Sequence, residues 1–117
     1  MARYLAGTHH PQEALQAREM WLVSVDGSAI GYVAGHLTRR FECDGELQWI
    51  YVAPEARGTP VAGELLRIMA RWFVAQGARR ICVDVGDERA RRFYRRHGAV
   101  EISQHWMTWD DIGTVLE

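Results

Sequence analysis

Residues 52–66, VAPEARGTPVAGELL, join the end of a strand to the start of an amphipathic helix through a loop of small residues. Residues 46–52 mix polar, aromatic and β-branched side chains, as strands do, and Pro54 ends that strand. From Val61 onward apolar residues recur at steps of three and four, which predicts a helix that Gly77 terminates, with an apolar face of Ala62, Leu65, Leu66, Met69 and Phe73. Small residues let a ligand approach the backbone, and the free N–H groups of a helix N-terminus attract phosphate. The stretch therefore predicts an anion-binding site.

The flanking sequence predicts strands and helices around this unit. Before it, the sequence predicts a helix over about residues 12–18, a strand over 20–25, a turn at Asp26-Gly27, a strand over 29–37 and a polar connection over 38–45. After it come a strand with alternating Ile81, Val83 and Val85 and a short helix that Asp87 can cap, which runs to about Arg96 and is stopped by Gly98. One or two strands over 100–109 close the fold. Crossover connections place the strands ending at Val52 and Val85 side by side and parallel, with the helix from Val61 over one face. We therefore expect an α/β fold, with a mixed, mostly antiparallel central sheet, one parallel strand pair at the anion site, and flanking helices.

The composition is typical of one soluble domain. The 117 residues suit a single domain, expected to span residues 1–117, and a content of 48% hydrophobic and 25% charged residues is that of a globular protein. The 14 basic and 15 acidic side chains nearly cancel, which gives no reason to expect nucleic acid or an anionic membrane as a partner. No apolar run approaches the roughly 20 residues of a membrane span, and no secretory signal is visible. We expect a cytoplasmic protein.

The cysteines and histidines show no metal-binding pattern. Cys43 and Cys82 stand alone, without the CxxC spacing of zinc sites, and the five histidines include no HxxxH pair. We therefore predict no metal site and a reducing compartment.

A second informative segment, residues 93–99, reads FYRRHGA at the end of the last predicted helix. It resembles the Phe-Tyr helix end, followed by glycine and a closing strand, of N-acetyltransferases of the GNAT superfamily. The first segment is similar to that family's acyl-CoA-binding motif, Arg/Gln-x-x-Gly-x-Gly/Ala, with Arg57 and Ala62 matching its ends. Two motifs in the right order on the expected elements are more specific than either alone. The resemblance extends over about residues 21–109 and implies a GNAT fold that transfers an acyl group from acetyl-CoA.

The resemblance also implies roles for particular residues. The backbone of Ile50, Tyr51 and Val52 would pair with the pantetheine arm, and Asp87 stands where many members carry an asparagine that contacts this arm. The amides that would hold the pyrophosphate belong to the segment Arg57, Gly58, Thr59, Pro60, Val61, Ala62 and Gly63. Tyr94 would face the thioester sulfur and act as general acid for the departing thiolate. Glu46, six residues before Val52, is the candidate base for a primary amine acceptor of unknown identity.

Three features depart from the family pattern. Pro60 replaces a glycine of the motif and removes one N–H from the anion site. Asp87 introduces a negative charge in place of the asparagine. The first strand and most of the first helix of the pattern are missing, so we expect an N-terminally shortened fold. A homodimer would cover its exposed edge, with Trp106 and Trp109 as candidate interface residues.

Other interpretations remain open at this stage. The loop over residues 57–63 also fits an ordinary strand-to-helix connection, Tyr94 could simply pack against the sheet, and Glu46 could be a solvent-facing residue. The arginines of residues 89–96 are typical of a solvated helix face, and the resemblance also places them near the nucleotide end of CoA. A non-catalytic module that binds acyl-CoA or a protein partner is the main alternative function. A nucleotide-binding module is a third, although no P-loop lysine follows the glycines.

Overall fold

The structure, a computed structural model, describes residues 18–117 as a mixed sheet with two helices. The strands are β1 (Arg18–Val25), β2 (Ser28–Leu37), β3 (Gly45–Val52), β4 (Ile81–Asp84), β5 (Val100–Glu101) and β6 (Trp106–Trp109). The helices are α1 (Val61–Ala75) and α2 (Glu88–Arg96), and short 3₁₀ turns cover Arg40–Glu42, Pro54–Ala56 and Ile112–Leu116. The helix predicted near residues 12–18 lies outside the described residues except for Arg18, which begins β1.

The strands form one six-stranded sheet in the order β1-β2-β3-β4-β6-β5. The β3 and β4 strands run parallel, and every other neighbouring pair is antiparallel. The predicted hairpin turn is present, with φ values of 51° at Asp26 and 83° at Gly27, as a two-residue turn between twisted strands requires. The structure therefore confirms the fold class expected from the sequence.

Helix α1 lies unusually close to β2 and β3 because glycines face it. A Cβ atom on Gly35 would stand 2.7 Å from Met69, and one on Gly45 would stand 2.6 Å from Phe73. The buried stripe of α1 consists of Val61, Leu65, Leu66, Met69, Ala70 and Phe73. Ala62, which the periodicity also assigned to this face, is only half-buried because it lies at the edge of the helix start. This packing fixes where the N-terminus of α1 meets the sheet.

The β3 and β4 strands pair at one end and then separate. Their ladder joins residues 45–47 to residues 81–83 and stops there. On its other edge, β3 carries a bulge, because Ala34 pairs with Trp49 and Gly35 pairs with Leu47, which leaves Gln48 without a partner. A gap therefore opens between β3 and β4 toward Val52, and the β3 backbone has no strand partner on that side among the described residues.

Strand β4 is buried on both faces rather than on alternate residues. Ile81, Cys82 and Val83 are all inaccessible to solvent, which suits a central strand of a sheet covered on both sides. Both Cys43 and Cys82 are buried free thiols.

No helix in residues 18–117 has the length and apolar character to span a membrane.

The prediction that Trp109 lies at a dimer interface is wrong. Its side chain is 1% exposed, its ring packs edge-on against Tyr94, and its Nε1 donates a hydrogen bond to the carbonyl of His97 at 2.9 Å. The indole therefore packs inside the protein, where it connects the end of α2 to the sheet. Trp106 is half-buried and packs edge-on against Phe41, with ring centroids 5.0 Å apart. The homodimer itself stays a prediction.

Candidate active site

A cavity of about 690 Å³ lies between the N-terminus of α1, helix α2 and the diverging end of β3. The predicted cofactor-binding residues that line it are Ile50, Tyr51, Val52, Arg57, Gly58, Thr59, Pro60, Ala62, Gly63, Asp87 and Tyr94. Val61 is buried in the core behind the cavity wall, and Glu46 lies elsewhere. The fold thus brings the two sequence motifs to opposite walls of one cavity.

The first turn of α1 presents unpaired amides to this cavity. The N–H groups of Ala62 and Gly63 have no hydrogen-bond acceptor within residues 18–117, whereas Glu64 N–H donates to the carbonyl of Pro60 at 3.0 Å. Pro60 stands immediately before the helix with φ of −70°, which its ring adopts without strain. The loss of one N–H at Pro60 therefore leaves two donors and the positive helix end available to an anion.

The loop before α1 is held in shape by its own hydrogen bonds. Arg57 Nε donates to the carbonyl of Val52 at 3.3 Å, which folds the loop back onto the end of β3. The Thr59 hydroxyl donates to the carbonyl of Ala56, and Gly58 between them takes a positive φ of 81°, which favours glycine. Contacts within the loop and with β3 therefore define its shape.

Tyr94 projects from α2 into the other wall. Its side chain is 3% exposed and packs edge-on against Phe93 and Trp109, with ring centroids 5.6 and 5.8 Å away. The hydroxyl makes no hydrogen bond to another residue of the described chain, and the residue lines the cavity. Burial, followed by the charges of Asp87 and Asp84, raises the pKa of Tyr94 above its ordinary value of 10. The hydroxyl consequently stays protonated at neutral pH and is able to donate a hydrogen bond.

Asp87 has a structural role at the start of α2. Its carboxylate accepts a hydrogen bond from the N–H of Ala90 at 2.8 Å and so caps the N-terminus of α2. The sequence predicted this cap. The carboxylate also lies at the cavity, where its charge is partly offset by the helix end that it caps.

Glu46 lies on the opposite face of the sheet. Gly35 faces α1, it pairs with Leu47, and side chains alternate along a strand, so the neighbouring Glu46 points away from α1. It is 8% exposed, which makes the solvent-facing interpretation wrong. Its Oε1 lies 3.2 Å from Arg40 Nε and 3.6 Å from His36 Nε2.

Sequence reasoning missed the two partners of Glu46. His36 reaches Glu46 through the antiparallel register of β2 and β3, and Arg40 reaches it from the 3₁₀ turn that follows β2. His36 Nδ1 also lies 2.9 Å from the carbonyl of Leu37, which leaves Nε2 directed at the carboxylate. The alternation of β2 could have placed His36 on this face, but the register that pairs it with Glu46 cannot be read from the sequence.

The cavity is also lined by basic residues outside the predicted cofactor-binding set. Arginines from both helices line it, namely Arg67, Arg89, Arg92 and Arg96, together with His97. Burial, followed by the charges of Arg67 and Arg96, lowers the pKa of His97 below its ordinary value of 6.5.

Across residues 18–117 no group of three or more His, Cys, Asp or Glu side chains is arranged to hold a metal ion.

The α/β sheet, whose parallel strand pair diverges, and the helix N-terminus beside it thus form one cavity. The model of the acetyltransferase (GNAT) family matches residues 2–99, so the chain belongs to this family and is an N-acetyltransferase. Among curated proteins, no relative matches the chain.

Solved structures share the fold at low sequence identity. A GNAT-family protein from Desulfovibrio desulfuricans has a TM-score of 0.69 at 21% identity, over 86% of this chain and 71% of that one. An acetyltransferase from Bacillus cereus has a TM-score of 0.68 at 20% identity, over 80% and 71% of the two chains. The PaiA N-acetyltransferase from Thermoplasma acidophilum, solved with coenzyme A, has a TM-score of 0.66 at 17% identity, over 79% and 60%.

Proposed function

We propose that the protein transfers an acetyl group from acetyl-CoA to a primary amine by direct attack in a ternary complex. The proposal rests on the cavity, which is lined both by the amides of Ala62 and Gly63 and by the end of β3, whose edge there has no strand partner among residues 18–117. A phosphate is bound by N–H donors such as the amides at a helix N-terminus, and an extended chain of amides pairs with an open strand edge such as that of β3. Acetyl-CoA offers both groups in one molecule.

The residues present fit this donor. The first turn of α1 would hold the pyrophosphate, and the β3 backbone at Ile50 to Val52 would pair with the pantetheine amides, because that edge has lost its β4 partner. Acetyl-CoA supplies an acyl group activated as a thioester. Tyr94 keeps its proton at neutral pH and would donate to the sulfur as the carbon–sulfur bond breaks.

Glu46 would accept the proton that the amine loses before its attack. A primary ammonium has no lone pair, so it must lose a proton before it can attack, and a carboxylate can take that proton directly or through water. Arg40 and His36 hold the Glu46 carboxylate on the face away from α1. The amine would therefore approach from this face, and the gap between β3 and β4 would join it to the donor cavity.

The first test is binding followed by turnover. A ligand bound only by the native state stabilises it by about 2.7 kcal/mol at a hundred times its Kd, so acetyl-CoA at that concentration is expected to raise the melting temperature by about 10 °C. A panel of primary amines is then assayed by release of free thiol. All 14 basic residues are arginine, so lysine self-acetylation cannot add to the thiol signal. Binding without thiol release for any amine would favour the non-catalytic module, and no thermal shift would reject the acetyl-CoA assignment.

Substitution of Gly63 by alanine tests the position of the pyrophosphate. A Cβ atom there would lie 3.6 Å from Arg67 Nη1 and 3.8 Å from His97 Cε1, so the free protein has room for it. Stability is expected to stay equal or to rise by up to about 1 kcal/mol, because alanine favours helix. The methyl group would crowd a phosphate held by the amides, and affinity should fall about tenfold or more. Calorimetry and thermal melts measure the two effects, and unchanged affinity in a stable variant would place the pyrophosphate elsewhere.

A further inference from the structure

Helix α2 carries its arginines on two stripes with different environments. Arg91 and Arg95, four residues apart, both bind the carboxylate of Glu101, Arg95 at 3.1 Å. Arg91 also lies 3.5 Å from Glu88 and donates to the carbonyl of Gln104 at 2.8 Å. The positive charges of this stripe are therefore balanced within the protein.

The second stripe lines the cavity. Arg89, Arg92 and Arg96 follow one another at steps of three and four, which places them on one side of the helix. Within the described chain none of them forms an ion pair with a carboxylate. We call these three residues the open arginine stripe.

The opposite wall adds further positive charge. Arg67 lies one turn beyond Gly63 on α1 and its guanidinium approaches that glycine. Arg57 lies in the loop before α1, and among residues 18–117 the one carboxylate that lines the cavity is that of Asp87, which caps α2. Cations that face one another across a cavity without counterions are suited to a polyanionic ligand.

The positive charges that line the cavity outnumber the two negative charges of a pyrophosphate. The amides of Ala62 and Gly63, together with the neighbouring Arg67, can bind the two negative charges of the pyrophosphate. The open arginine stripe on the other wall is left for a third group. A phosphate monoester carries a charge close to −2 at neutral pH and matches the fork of a guanidinium. The corresponding monoester of the donor is the 3′-phosphate of its adenosine.

We propose that the open arginine stripe binds the 3′-phosphate of CoA and makes the enzyme discriminate against donors that lack it. This inference rests on the proposed use of acetyl-CoA and adds a recognition site to it. Arg91 and Arg95, which are paired with Glu101, take no part in donor binding. The same arginines could instead serve an acidic acceptor, and the experiment distinguishes that result.

The test compares the Kd values of CoA and 3′-dephospho-CoA by calorimetry. The parent protein is expected to prefer CoA by about ten- to a hundredfold, as charge-assisted hydrogen bonds to a phosphate allow. Arg92→Gln, at the centre of the stripe, should reduce this preference severalfold. A triple variant with Arg89→Gln and Arg96→Gln added should bring it near one. Arg95→Gln, which removes a neighbouring charge already paired with Glu101, is the matched control and should keep the preference.

Each alternative result has a definite meaning. Equal affinity for the two ligands in a parent protein that still turns over acetyl-CoA would overturn the 3′-phosphate site and leave the transferase function intact. No binding of either ligand would overturn both. A preference that survives in the triple variant, with turnover lost for acidic amines alone, would assign the stripe to the acceptor and also overturn the proposal.

Discussion

Replacement of Tyr94 by phenylalanine is expected to lower kcat by about 10²–10⁴-fold while the Kd for acetyl-CoA changes much less. The hydroxyl is asked to act as negative charge develops on the sulfur, so its loss affects the transition state more than the bound donor. The ring would keep its edge-on contacts with Phe93 and Trp109, so the variant should fold. Turnover by thiol release and binding by calorimetry separate the two effects.

The pH profile and a matched variant sharpen this test. Because the pKa of Tyr94 is raised above 10, the hydroxyl donor should persist through the alkaline range, and its ionisation should cause no fall in kcat below about pH 10. Tyr32→Phe removes a hydroxyl from a tyrosine that stacks on Tyr51 but does not itself line the donor cavity, and this control should keep the parental Kd for acetyl-CoA without the kcat loss expected of Tyr94→Phe. Unchanged turnover in a folded Tyr94→Phe protein would remove this residue from the mechanism.

Local sequence signals predicted the elements that form the donor cavity. The strand end at Pro54, the helical spacing from Val61 and the glycine stop at Gly77 are each read from neighbouring residues, and all three appear in the structure. Asp87 likewise caps α2 through a contact three residues away. Interactions of this kind depend on the chain nearby, so one sequence suffices to predict them.

The features that sequence reasoning missed depend on contacts between distant segments. Trp109 became core because its indole meets the carbonyl of His97, which no spacing rule predicts. The arginines of α2 divide into paired and open sets only because Glu101 on β5 reaches one side of the helix. The placement of Glu46 beside His36 similarly required the register of two strands.

The two proposed proton-transfer groups lie on different faces of the sheet, which has a mechanistic consequence. Tyr94 belongs to the donor cavity on the side of α1 and α2, whereas Glu46 points to the other face. Donor and acceptor would then enter from opposite sides and meet where β3 and β4 separate. Such an arrangement allows both substrates to be bound at once, as direct attack requires.

Replacement of Glu46 by glutamine is expected to lower turnover by about 10²–10⁴-fold for an amine that arrives protonated. The amide has nearly the same shape and keeps the contacts with His36 and Arg40 in reach, but it cannot accept a proton. The loss should shrink as pH rises through the amine's own pKa, because a free amine already carries its lone pair. An amine with a pKa near 10.4 should therefore show a larger defect at pH 7 than one near 7.7.

The decisive measurement is the ratio of parental to Glu46→Gln turnover across pH for those two amines. The ratio should fall toward one at a pH that follows the pKa of each amine, because the base is required only while the acceptor is an ammonium. Glu42→Gln, an exposed carboxylate in the same segment, is the matched control and should follow the parent at every pH. If Glu46→Gln instead gives a constant ratio for both amines, the carboxylate acts through the structure around His36 and Arg40, and the base must be sought elsewhere.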